Sequence, residues 1–548
     1  MRKTLLLAAV VLVCPTLDRA QEHQHEHALT EQELGSVRFA TTCANGMAAE
    51  DAKNFNANFN HAVALLHSFQ YEQSRAAFTA ITRLYPTCAM AHWGIAMSHY
   101  HGLWGNSRLD LGRAALEKAH ETASANPTTS ARENGYIEAL GEIYAQDGRD
   151  AAAHAQAFER KMGELAARNP SDTEAKIFHA LALKLSASRT DKSFANDRKC
   201  GEILEPIFKQ QPQHPGVAHY IIHCYDNPAL AERGLDAARL YAKIAPASAH
   251  ANHMPSHIFT RVGAWPDSIS SNLQSAKIAE ADEHGSKTAE PRDQRLHAMD
   301  YLEYAYLQTG QLKEAMSVMA EMNALTPVAG LTLTGDYALA AIPARHAIEL
   351  GNWKEASALE VRTDGVPWAQ AISWEAIGEG AARSSALSLA AEAIKQLAKL
   401  RDASEKQSPY WSKQIEVQRR EVEAWIASAN GKDEQAIAIM RAAAELEESM
   451  DKDAVTPGAI TPAREMLAHL LLQQKQPQAA LVEYQEVLKL APKRFNAIYG
   501  AAISADAAGN SVAANNYFRQ LMEIAPNTER PEIAIARKKV SAVASAKP

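Results

Sequence analysis

The sequence predicts an all-α fold, a solenoid of antiparallel helix pairs, and three observations predict it. Helix-forming patterns fill the 548 residues, while strand-like alternation is nearly absent. A chain of this length outgrows a single hydrophobic core, so it must divide into domains or stack repeats. A spacing of 34 residues recurs, from Pro212 to Pro246 and again from Pro492 to Pro526.

From the N-terminus, "MRKTLLLAAVVLVCPTLDRA" places Arg2 and Lys3 before an apolar run too short to span a bilayer, so residues 1–20 read as a secretory signal. The protein is then expected to be exported, periplasmic or secreted, with no membrane span. Losing Arg2, Lys3, Arg19 and Asp18 with that segment moves the formal charge from −8 to −10. A mildly acidic surface without basic runs argues against nucleic acid as a partner. Residues 21–53 form an N-terminal segment, partly disordered, which opens with "EHQHEH" (residues 22–27). Export permits disulfides among Cys43, Cys88, Cys200 and Cys224; a Cys43–Cys88 bridge and four buried thiols both remain open.

Residues 54–328 are expected to form the first repeat array. In "HAMDYLEYAYLQTGQLKEAMSVMAEMNALTP" a helix, a turn at Gly310, a second helix with Ala315 inward and a closing Pro327 follow one another. Residues 329–460, where Gly, Pro and Trp interrupt the period, read as a middle segment of degenerate helix pairs. They include turns at Gly351 and Gly431 and end in the loop "DKDAVTPGAITP". Residues 461–528 carry a second array with Ala502, Gly509, Ala514 and Phe518 in the same slots, and 529–548 are a tail. Tyr306, Gly310, Ala315 and Pro327 stand at the spacing of the tetratricopeptide repeat, which these units resemble. The resemblance covers roughly residues 54–528. It implies a superhelix whose concave groove binds ligands.

The histidines of "HPGVAHYIIHCYDNP" and "AHANHMPSHIFTR" are the candidate site. His219, His223 and Asp226 have i, i+4, i+7 spacing, and His250, His253 and His257 have i, i+3, i+7 spacing, so each set shares a helix face. His219 to His253 and His223 to His257 are each one 34-residue repeat apart. The same two slots therefore carry imidazole in neighbouring units, beside the apolar stripe Ala218, Ile221, Ile222 and Tyr225. His297 and Asp300 extend the row, and Arg261 ends the second segment. Imidazoles at this spacing on packed helices suit a divalent transition metal such as Zn, Fe or Cu, so His219, His223, His250, His253 and His257 are candidate ligands. Asp226, Arg261, His297 and Asp300 are candidate ligand-binding residues. Duplication of a repeat could also copy histidines without a role.

These segments, with "PAREMLAHLLLQQKQPQAALVEYQEVLKLAPKRFNAIYGAA", also resemble exported bacterial tetratricopeptide-repeat proteins. That resemblance implies fold and export and brings no activity with it. No phosphate-cradling glycine loop, nucleophile elbow or HExxH helix is present in the sequence. The expected function is binding or scaffolding: a protein, a peptide or a small polar ligand in the groove, with or without a metal. A metal-dependent hydrolase or oxidoreductase working in the same groove is the alternative.

Overall fold

The computed structural model describes residues 30–545 apart from 104–106, 285 and 287. The expected signal segment and His23, His25 and His27 lie outside them. Among the described residues the fold is all-α, a solenoid in which each helix packs on the next. No helix of these residues is long and apolar enough to cross a membrane.

The turns between paired helices follow from backbone chemistry. Gly310, Gly351, Gly431 and Gly509 all take positive φ, between +65° and +78°, where a side chain would strain the chain. Gly310 joins the helices Glu290–Gln308 and Leu312–Ala324, and a Cβ added there would also meet Thr528 Oγ1 at 2.6 Å. The equivalent turn after the Ala49–His67 helix uses Phe69 in the left-handed region, at φ +53°.

Helix starts are similarly local. Ser130 and Glu133 form a reciprocal capping box, and Ser248 caps the Ala249–His253 helix through Ala251 N–H. Disulfides join Cys43 to Cys88 and Cys200 to Cys224.

The superhelix closes on itself. Trp265 Nε1 donates to the Lys493 carbonyl at 3.0 Å, and Phe495 N donates to Gln308 Oε1 at 2.9 Å. Buried Arg494 spans Glu349 and Glu465. The irregular segment after the Asp433–Glu448 helix folds back over the first array: Asp451 N reaches the Arg189 carbonyl, Lys452 reaches Asp226, and the Thr456 carbonyl accepts from Tyr301. The three stretches distinguished in the sequence are therefore packed against one another.

Candidate metal centre

The site begins with the helix Pro215–Tyr225, whose eleven residues are all buried. Pro215 presets its first turn, and His214 caps it by accepting from Val217 N. Gly216 lets it approach the end of the first long helix, since a Cβ there would lie 2.5 Å from His67 Nδ1. That approach brings His219 Nδ1 to the His67 carbonyl at 2.6 Å. One repeat later the chain forms Ala249–His253, breaks at Met254 before Pro255, and resumes as Pro255–Arg261.

The rows interleave into two groups of three. Ligand-capable nitrogens of His219, His223 and His250 all lie within 4.8 Å of one another, and so do those of His253, His257 and His297. Each group takes both slots of one repeat and adds a ring from a later helix. His219 Nε2 is 3.0 Å from His250 Nε2, while His253 Nε2 is 3.0 Å from His257 Nε2. The His297 ring lies tilted against His253, with ring centroids 4.1 Å apart. All six rings are at most 7% exposed, so the row is in the interior and not on an open groove. The Glu290–Gln308 helix and the segment around Lys452 pack over it.

Hydrogen bonding fixes the state of the second group. Asn272 Nδ2 donates to the Ser268 carbonyl, which leaves Oδ1 to accept from His253 Nδ1 at 2.6 Å. His257 Nδ1 donates to Asp226 Oδ2 at 2.9 Å. A neutral imidazole carries one hydrogen, so both Nε2 atoms present lone pairs to each other across 3.0 Å. Two lone pairs at that distance repel unless a cation lies between them. Two imidazole nitrogens on one ion at the usual 2.0–2.1 Å bond length stand about 3–3.4 Å apart. Thus the close contact is what shared coordination requires.

Electrostatics keep the rings neutral. Burial lowers His219 to about 3. It also holds His223, His250, His253 and His297 well below the ordinary imidazole value, with neighbouring imidazoles adding to the effect. His257 is lowered by burial against the pull of Asp226. Burial would raise Asp226, but Lys452, Arg261 and the His257 bond outweigh it and hold the carboxyl well below its usual range.

Asp226 is therefore a fixed anion accepting from His257, from Arg261 Nε at 2.8 Å and from Lys452 Nζ at 2.9 Å. It lies just past the helix end as its C-cap. Asp226 orients a ring, as the outer partner of a metal-bound histidine does.

Other polar groups are spent elsewhere. Asp300, the expected continuation of the row, pairs with buried Arg345, and Glu303 bonds His346 at 2.7 Å. Glu465 is bound by Arg494, and His469 lies 3.0 Å from Arg383. A third group, His67, Glu174 and His214, satisfies itself: Glu174 bonds both rings at 3.0 and 2.9 Å, and His67 Nδ1 meets Tyr220 OH. Its role is to hold the wall behind His219.

A cavity of about 790 Å³ adjoins the Asp226 cluster, with Thr260, Arg261 and Lys452 in its wall. Stacked Trp368 and Trp411 and the carboxyl groups of Glu375, Glu421 and Glu447 line its other side. Sequence reasoning did not find Asn272, Lys452 or this cavity. Asn272 and Lys452 carry no local motif, and the cavity needs the closed superhelix.

Residues 461–494 match the tetratricopeptide repeat family. A search of curated protein sequences gives no match. Among solved structures, a monomeric mutant of IFIT1 with Gppp-AAAA is similar over 80% of this chain and 90% of that chain, with 11% identity and a TM-score of 0.36. The human IFIT1 dimer with PPP-AAAA covers the same shares at 12% identity and a TM-score of 0.33. At these TM-scores the likeness supports no inference about the site.

Proposed function

We propose that this chain is an exported helical-repeat binding protein whose interior holds a divalent transition metal on His253, His257 and His297. The adjoining cavity would take a peptide, a segment of a protein partner or a small polar ligand. The lone-pair contact between His253 and His257 carries the reading, because Asn272 and Asp226 commit both Nδ1 atoms as donors. Three neutral imidazoles and a fixed outer carboxylate are a donor set for Zn, Fe or Cu. The two disulfides fit an oxidising compartment.

A metal-dependent enzyme is the second reading, favoured by one feature. Arg261 and Lys452 touch Asp226 on one side and line the cavity on the other, so a cavity ligand would lie one residue away from the metal's outer partner.

The test is elemental analysis of untagged protein purified without chelator, followed by metal titration of stripped protein. Stoichiometric transition metal supports the reading. Protein that is metal-free and takes up none refutes it and leaves a shared proton between His253 and His257.

A further inference from the structure

We infer that the chain holds two metal ions side by side, the second on His219, His223 and His250. This rests on the metal reading for the first group and adds a separate set of observations. His219 Nδ1 donates to the His67 carbonyl, which can only accept, so His219 Nε2 is a lone pair. His250 Nε2 is 3.0 Å from that lone pair, donating to it in one tautomer and sharing an ion with it in the other. His223 Nε2 is buried without any hydrogen-bond partner, on a side chain 2% exposed. A buried imidazole nitrogen left unbonded is unfavourable, and an ion shared with His219 and His250 would satisfy it.

The surroundings are built for that ligand. Phe69, held in the left-handed region, lays its ring against His219, His223 and His250, with centroids 4.4, 5.7 and 5.6 Å away, and keeps the group dry. His250 also lines a narrow cleft of about 50 Å³ whose walls include Glu72, Asp282 and Glu290. That cleft gives a cation a route to His250 past acidic side chains, of which Glu290 is raised by burial to about 8.

The two groups touch. His223 and His257 ring centroids are 6.2 Å apart, and those of His250 and His253 are 6.5 Å apart. Two ions so held would be neighbours within one buried cluster.

The test titrates the chelator-stripped full chain with Co²⁺, following visible absorption and bound metal by elemental analysis. Two ions per chain are expected. The H219A/H223A and H253A/H257A variants should each bind one, with helical circular dichroism retained. If a double variant fails to fold, H223A replaces it; its Nε2 bonds nothing, so the metal-free fold should stand. Affinity for the second ion should then fall by more than the 10–100-fold that outer partners are worth. Cu²⁺-loaded protein gives a readout without mutation, since neighbouring ions couple magnetically and weaken the isolated-ion paramagnetic signal. One ion per chain overturns this inference and leaves the single-metal reading intact. No ion overturns both.

Discussion

Asp226→Asn keeps the shape of the side chain and removes the charge on which three donors converge. Arg261 Nε, Lys452 Nζ and His257 Nδ1 all lie within 2.9 Å of its oxygens. The side chains of Asp226, Arg261 and Lys452 are 6%, 10% and 12% exposed, so solvent screens the loss little. Asp451 still faces Arg261 at 3.2 Å, which leaves Lys452 as the uncompensated charge. Removing one partner of a buried pair costs about 3–5 kcal/mol, whereas replacing both with uncharged groups is often neutral. D226N should therefore destabilise by about that much, and D226N/K452M should recover at least half of it. In the loaded protein, loss of the carboxylate behind His257 should weaken metal binding about 10–100-fold, or about 1.4–2.7 kcal/mol. Urea denaturation by circular dichroism reads the first effect, and chelator competition reads the second. A D226N variant within about 1 kcal/mol of the parent, with unchanged metal affinity, would refute the assignment of Asp226 as a buried orienting anion.

Other outcomes follow from the same packing. Burial, with Glu379 beside Glu375, raises Glu375 to about 8; burial raises Glu447 to about 7, and burial with Glu375 and Glu447 nearby raises Glu421 well above its usual value. The folded chain thus keeps protons that the unfolded chain releases in the ordinary carboxyl range. These carboxyls contribute stability that is lost as pH rises from about 5 to 8, while the buried neutral histidines contribute the opposite trend below their ordinary value. E375Q/E421Q should therefore gain stability relative to the parent as pH rises across that window, and a difference that does not change with pH contradicts it. The disulfides close spans of 45 and 24 residues, so each should add about 3–4 kcal/mol, and Cys43, Cys88, Cys200 and Cys224 should resist alkylation in denatured, unreduced protein. G310A should strain its turn and press on Thr528, lowering the unfolding midpoint and speeding hydrogen exchange around residue 528; an unchanged midpoint would show that this contact yields freely.

Much of the fold was legible because it is local. Helical periodicity, turn glycines and the 34-residue spacing each depend on neighbours in sequence, and Gly310, Gly351, Gly431 and Gly509 sit in the turns they marked. The candidate histidines were legible for the same reason, as faces of two helices. Their grouping was not. Each triad takes the two slots of one repeat and a third ring, His250 or His297, from a later helix, and that third partner depends on packing. Asp300 matched the row by spacing but meets Arg345 once the Leu333–Glu349 helix packs beside it. Lys452 reaches Asp226 across 226 residues, a contact only the closed superhelix makes.

If His253 Nε2 and His257 Nε2 face a cation, anomalous diffraction from crystals of protein purified without chelator will locate it. Data collected on either side of the Zn, Fe and Cu absorption edges should place a peak within about 2.0–2.2 Å of both nitrogens, with His297 as the third neighbour. Contradiction would be the absence of any anomalous peak there, with the two rings still about 3 Å apart across a shared proton.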